Sequence, residues 1–199
     1  KTTLLKILNG LLKTAKGEIY LDQKDVRSIN KDMLFRKVCT MFQNPDDQLF
    51  ASTVGEDIAY GPMNMGLKKE DLHKRIDFAL GAVDMRQFAD KAINNLSFGE
   101  KKRICLAGVL AMEPEVMLLD EPTQGMGHED VDRVMQLIKA VSANRTILMV
   151  EHNMKVVAGI SDTLTVLARG SVLAEGPYAE VAANPLVIGS RSDRELTDD

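Results

Sequence analysis

Val116-Met117-Leu118-Leu119-Asp120-Glu121-Pro122-Thr123 is the stretch on which the reading of this chain turns. Consecutive apolar residues that stop at two acids and a proline describe a short buried strand with carboxylates at its carboxyl end. A second such run, Thr146-Ile147-Leu148-Met149-Val150, ends in Glu151-His152. Between the two, Val131, Val134, Met135, Ile138 and Val141 recur at helical spacing and form one apolar face. Strand, crossover helix and strand make a parallel βαβ unit, and in an open α/β sheet the residues beyond the carboxyl ends of the strands surround the ligand.

Towards the N-terminus, Val38-Cys39-Thr40-Met41-Phe42 predicts a further buried strand, which hands Gln43 to the polar loop Asn44-Pro45-Asp46-Asp47-Gln48. Ile19, Leu21 and Val26, set among Gly17, Asp22 and Asp25, predict short strands of an antiparallel edge. The chain opens inside a short helix that begins near Lys1 and stops at Asn9-Gly10. Residues 53–112 change character. Thr53-Val54-Gly55-Glu56 has the form of a capping box, and Leu72, Ile76, Ala79, Leu80 and Val83 repeat at helical spacing, so this block reads as an all-helical insert. Near the other end, residues 164–175 predict a hairpin turning at Arg169-Gly170, followed by a short helix before Asn184-Pro185 and a polar, frayed stretch over 190–199.

With 199 residues the chain has the length of one domain, and 45% hydrophobic with 27% charged residues is a globular composition. No apolar run reaches the roughly 18 residues of a spanning helix, so any work at a membrane is expected from outside it. A net charge of -4 argues against a nucleic-acid partner, and the run Lys101-Lys102-Arg103 is too short to reverse that. Cys39 and Cys105 lie in apolar contexts without metal-ligand spacing and read as buried free thiols in a reducing compartment. Lys1 stands first, without a Met or a signal-peptide pattern, as in a chain that begins in mid-gene or was trimmed.

Asp120 at a strand end can hold Mg²⁺ directly or through water, while Glu121 beside it can orient and deprotonate an attacking water. Ser97-Phe98-Gly99-Glu100 has the Ser and Glu of a helix start, where free N–H groups could hold a γ-phosphate. His152 could hydrogen-bond a γ-phosphate or the water beside it, and Gln43 could bring a carbonyl to Mg²⁺ or that water. Lys1-Thr2-Thr3 has the form of the end of a phosphate-binding loop, with Lys1 on the β- and γ-phosphates and the Thr2 hydroxyl on Mg²⁺. Taken singly, each has a plain alternative: solvated acids at a strand end, an ordinary capping box, a loop amide, a lone imidazole.

Order and spacing carry more than any one of them. Lys-Thr-Thr, a strand-end Gln, Ser-x-Gly-Glu at a helix start, a hydrophobic strand with Asp-Glu-Pro-Thr and a strand-end His follow one another, and with these five elements the chain resembles the ABC transporter ATPases over essentially its whole length. The resemblance implies an α/β fold: a P-loop NTPase (RecA-like) core with a parallel sheet, an inserted all-helical subdomain and an antiparallel β edge, with the N-terminal strand and glycine loop missing. It implies one domain over 1–199, with 1–52 and 113–199 as catalytic core and 53–112 as helical subdomain. Lys1, Thr2 and Thr3 would complete the ATP-binding Walker A motif, and Gln43 would be the Q-loop glutamine. Ser97, Gly99 and Glu100 would belong to the signature that serves a partner's nucleotide in a head-to-tail dimer. Asp120 would be the Walker B aspartate, Glu121 the catalytic base and His152 the switch histidine, acting on ATP and Mg²⁺. A transmembrane permease subunit, a second ABC ATPase subunit and peripheral attachment to the cytoplasmic face of the cell membrane are implied as well. The residues after Gln43 would meet the permease.

Two subfamilies are visible. Phe42-Gln43-Asn44-Pro45-Asp46-Asp47-Gln48-Leu49-Phe50, Glu56-Asp57-Ile58-Ala59-Tyr60-Gly61-Pro62 and Gly99-Glu100-Lys101-Lys102-Arg103 resemble the cobalt, nickel and vitamin importers of energy-coupling-factor type. From Gln124-Gly125-Met126-Gly127-His128-Glu129-Asp130 through Val150-Glu151-His152-Asn153 to Ala174-Glu175-Gly176-Pro177, the chain is similar to branched-chain amino-acid and urea importers. Phe98 stands where the signature usually has Gly, and Gly127 where the family usually has Asp. Together with the absent glycine loop, these keep open a second reading, a dimerising or regulatory module that does not turn over ATP. A soluble ABC-type ATPase of DNA repair or translation is a third, against which the 43–50 segment and the acidic balance speak.

Overall fold

In the computed structural model, which describes residues 1–189, a first helix α1 (Thr2–Leu8) follows Lys1 and stops at Asn9 and the left-handed Gly10 (φ 77°). Strands β1 (Tyr20–Leu21) and β2 (Lys24–Asp25) form an antiparallel hairpin whose two turn residues, Asp22 and Gln23, both have positive φ (50° and 63°), as a tight hairpin turn requires. Helix α2 (Lys31–Lys37) starts where the Asn30 side chain accepts the N–H groups of Asp32 and Met33, and it runs directly into β3 (Val38–Met41). Helices α3 (Val54–Asn64), α4 (Lys69–Ala82) and α5 (Phe98–Ala111) fill the stretch expected to be helical. Strand β4 (Val116–Asp120), helix α6 (His128–Val141) and strand β5 (Thr146–Val150) complete the βαβ unit.

The three strands form one parallel sheet in the order β3-β4-β5, with Thr40 beside Leu118 and Leu118 beside Leu148. As the central strand, β4 is buried from Met117 to Asp120. Strand β5, paired on one side among the described residues, leaves Leu148 exposed. Leu5, Leu34, Val38 and Leu118 make a core beneath the sheet, with Val116 and Val150 packed against it, so α1 and α2 are held by the strands that carry the candidate site. Helix α5 is buried almost all round (Ile104, Cys105, Ala107, Leu110 and Ala111 are closed to solvent) because α3, α4 and β3 pack against it.

The described residues fall into two compact units, the first being Lys1–Glu151. The second begins at His152 and holds α7 (Met154–Ile160), the antiparallel pair β6 (Leu164–Ala168) and β7 (Ser171–Gly176), and α8 (Tyr178–Ala182), which packs on both strands. The predicted hairpin turn is in place: Arg169 and Gly170 take φ 50° and 81°. Helix α7 has no counterpart in the sequence reading. The expected frayed end at 190–199 lies outside the described residues.

Candidate functional site

Asp120, the last residue of β4, is buried, and Thr2 at the start of α1 reaches it: Thr2 Oγ1 donates to Asp120 Oδ2 at 2.6 Å. The two residues are 118 positions apart in the chain. One residue on, Glu121 leaves the strand with φ 48°, a left-handed conformation that costs a non-glycine residue about 1–2 kcal/mol. Its peptide is fastened on both sides. The Glu121 N–H donates to the Val150 carbonyl at 2.9 Å, and the Glu121 carbonyl accepts from Gln124 N at 3.2 Å and from Lys102 Nζ at 2.7 Å. Gln43, two residues past β3, donates from Nε2 to the Glu121 carboxylate at 2.9 Å and to Gln124 Oε1 at 3.1 Å. Beyond Pro122, Thr123 donates from its backbone N–H (3.0 Å) and its hydroxyl (2.5 Å) to Glu151 Oε1, which ties the turn to the end of β5.

Lys102 is fully buried, and burial is the largest influence on its ammonium, drawing the pKa below the ordinary lysine value against the opposing pull of nearby acids. Its ammonium also lies 5.8 Å from the centre of the Phe98 ring.

The start of α5 is a complete capping box. Ser97 N donates to Glu100 Oε2 at 2.7 Å, and Glu100 N donates to Ser97 Oγ at 3.3 Å. The Ser97 N–H is the main cause holding the Glu100 carboxyl below the usual glutamate value. Phe98 lays its ring against the Gly125 turn, its Cε1 2.8 Å from where a side-chain carbon on Gly125 would stand. Arg103 pairs with Asp130 of α6 at 3.4 Å, and Asp130 Oδ2 lies 3.2 Å from the corresponding position on Gly99, so the starts of α5 and α6 are joined.

Thr2, Gln43, Asp120 and Glu121 are thus brought together, with Lys1 and Thr3 exposed on either side of Thr2. Ser97, Gly99 and Glu100 form a separate helix start, and His152 is an exposed residue that opens the second unit. Sequence reading passed over Lys102, Gln124 and the Thr123–Glu151 link. Only the polar residues flanking the Asp-Glu-Pro turn hinted at the last two, and nothing local marks Lys102.

No group of three or more His, Cys, Asp and Glu among the described residues could hold a metal by itself. The Thr2 hydroxyl and Asp120 carboxylate that meet here are hard oxygens that suit Mg²⁺, which keeps water and substrate phosphates as its other ligands. Among the described residues, no helix is long and apolar enough to cross a membrane.

Residues 1–124 match the family model described as ABC transporter. A putative ABC transporter ATP-binding protein of Geobacter sulfurreducens is 45% identical over 187 residues, covering 93% of this chain and 67% of that protein. The energy-coupling factor transporter ATP-binding protein EcfA of Methanothermobacter thermautotrophicus is 41% identical over 185 residues, covering 91% of this chain and 59% of its own length. The chain therefore spans about three fifths to two thirds of these relatives. Among solved structures, cbiO1 from Clostridium perfringens, part of the ABC transporter complex cbiONQ, superposes with a TM-score of 0.82 at 36% identity, covering 97% of this chain and 78% of that one. Matched by the family model over most of its length and by these relatives over nearly all of it, the chain belongs to the ABC transporter family as an ATP-binding protein.

Proposed function

We propose that the chain hydrolyses ATP to ADP and phosphate as the motor subunit of an importer of the energy-coupling-factor or cobalt type, with a metal ion such as cobalt or nickel, or a vitamin, as cargo. The observation that carries this reading is the hydrogen bond from Thr2 to Asp120, which sets the start of α1 against the strand-end acids. In this reading the Lys1 ammonium balances charge on the β- and γ-phosphates, and the Thr2 hydroxyl, Asp120 carboxylate and Gln43 carbonyl hold Mg²⁺. The ion, when bound, supplies charge neutralisation on the phosphate oxygens. Glu121 orients the attacking water and takes its proton, Gln43 steadies that carboxylate, and His152 donates to the γ-phosphate.

Ser97, Gly99 and Glu100 serve the nucleotide of a second ATPase subunit in a head-to-tail dimer, their helix start preset by the capping box. A permease subunit holds the pair at the cytoplasmic face of the membrane and docks near Phe50 and Tyr60, exposed rings that stack edge to face at 4.7 Å. The name of the archaeal relative and the complex to which cbiO1 belongs support the energy-coupling-factor type over the branched-chain amino-acid type.

The test is Glu121→Gln in the intact subunit. Turnover is expected to fall by about a hundredfold or more while ATP binding persists. Undiminished turnover would remove Glu121 from its role.

A further inference from the structure

Lys102 lies in a run of basic residues on a helix, a pattern that ordinarily faces water, yet its side chain is closed to solvent. Its Nζ is spent on a main-chain carbonyl, that of Glu121, at 2.7 Å. That carbonyl belongs to a residue in a left-handed conformation, at the point where the chain leaves β4 and the Glu121 carboxylate must be aimed. Two further bonds to this peptide come from its own neighbourhood: Val150 on the adjacent strand and Gln124 three residues ahead. Lys102 brings a bond to it from α5, the helix whose first turn contains Phe98 and Gly99 and is capped by Ser97. The Phe98 ring near its ammonium rests on Gly125 of the same turn, so helix start, ammonium and acidic turn are in continuous contact.

We infer that Lys102 is a positioning residue for ATP hydrolysis, which fixes the Glu121 peptide from α5 and so couples the seating of that helix to the aim of the Glu121 carboxylate. The inference rests on the hydrolytic reading of Glu121. A carboxylate displaced by a fraction of an ångström still permits nucleotide to bind but no longer meets the water in line, so the loss belongs in kcat and not in KM. Burial of the ammonium supports the same view, because a charge taken from water is costly unless its hydrogen bond is made.

The experiment compares steady-state ATP turnover of the intact subunit with those of Lys102→Met and Lys102→Gln, each checked for folding by thermal melting. Lys102→Met keeps the stem and removes the donor, and its kcat is expected to drop about tenfold to a hundredfold with KM for ATP within about twofold of the parent. Lys102→Gln keeps a shorter, neutral donor and is expected to fall between the two. Parental kcat in both variants, or a loss confined to KM, overturns the inference. Should Lys102→Met fail to fold, Lys102→Gln decides alone: a reduced kcat at unchanged KM supports the inference and a parental kcat overturns it. Glu121→Gln run alongside separates the two readings. If that variant is inactive while both Lys102 variants turn over normally, only the role of Lys102 fails; if it is fully active, the hydrolytic reading fails first.

Discussion

Gly125 shows how tightly one residue can be specified. Its φ of 74° is left-handed, and the space for a side chain there is taken by the Phe98 ring. An alanine must adopt the unfavourable conformation and push the ring aside. Because Phe98 is partly exposed the ring can swing, so the conformational cost dominates, and Gly125→Ala is expected to lose about 1–2 kcal/mol of stability, measured by urea unfolding. A loss near zero would mean that the turn relaxes. At this scale the membership of the candidate site was partly legible. Asp120, Glu121 and Gln43 could be picked out because polar residues at the ends of apolar strands stand out against their surroundings. Lys102 could not, since Lys101-Lys102-Arg103 looks like any solvated basic run and only the approach of α5 to a turn 19 positions further on buries the middle member.

Two helices start with the same device. Thr53 caps α3 and Ser97 caps α5, each with its glutamate returning to the cap N–H. Thr53→Ala and Ser97→Ala are each expected to cost about 1 kcal/mol in chemical denaturation. Only the Ser97 change is expected also to lower ATP turnover, because Thr53 lies outside the proposed nucleotide-facing helix start; equal effects on turnover would count against that division. The second box is also sensitive to acid. Glu100 titrates below its ordinary value of 4.5 in the folded chain, so its contribution to stability is present above that pH and is lost as the pH falls through the lowered value. Both helices were readable from four residues apiece. Helix α7 was not: its seven residues include Gly159, and it has no repeat long enough to show a period.

Across the larger unit, strand identity came from short apolar runs, but the order β3-β4-β5 goes with the packing of α1 on β4 and α2 on β3 and has no local signal. The parallel pairing of β4 with β5 followed from the crossover helix between them; the place of β3 beside β4 had no such clue. Packing also shields the thiols. Cys105 has no exposure and its thiol is pushed well up by burial, while half-buried Cys39 is pushed up to about 12. Near neutral pH neither is a thiolate, and the first is out of reach as well. Alkylation of Cys105 therefore waits for α5 and the segments packed on it to part. Iodoacetamide uptake at that sulfur becomes a clock for opening, expected to run about a thousandfold or more slower than in the denatured chain. Nucleotide that grips the closed form would slow the clock further, giving a readout of binding that needs no turnover at all.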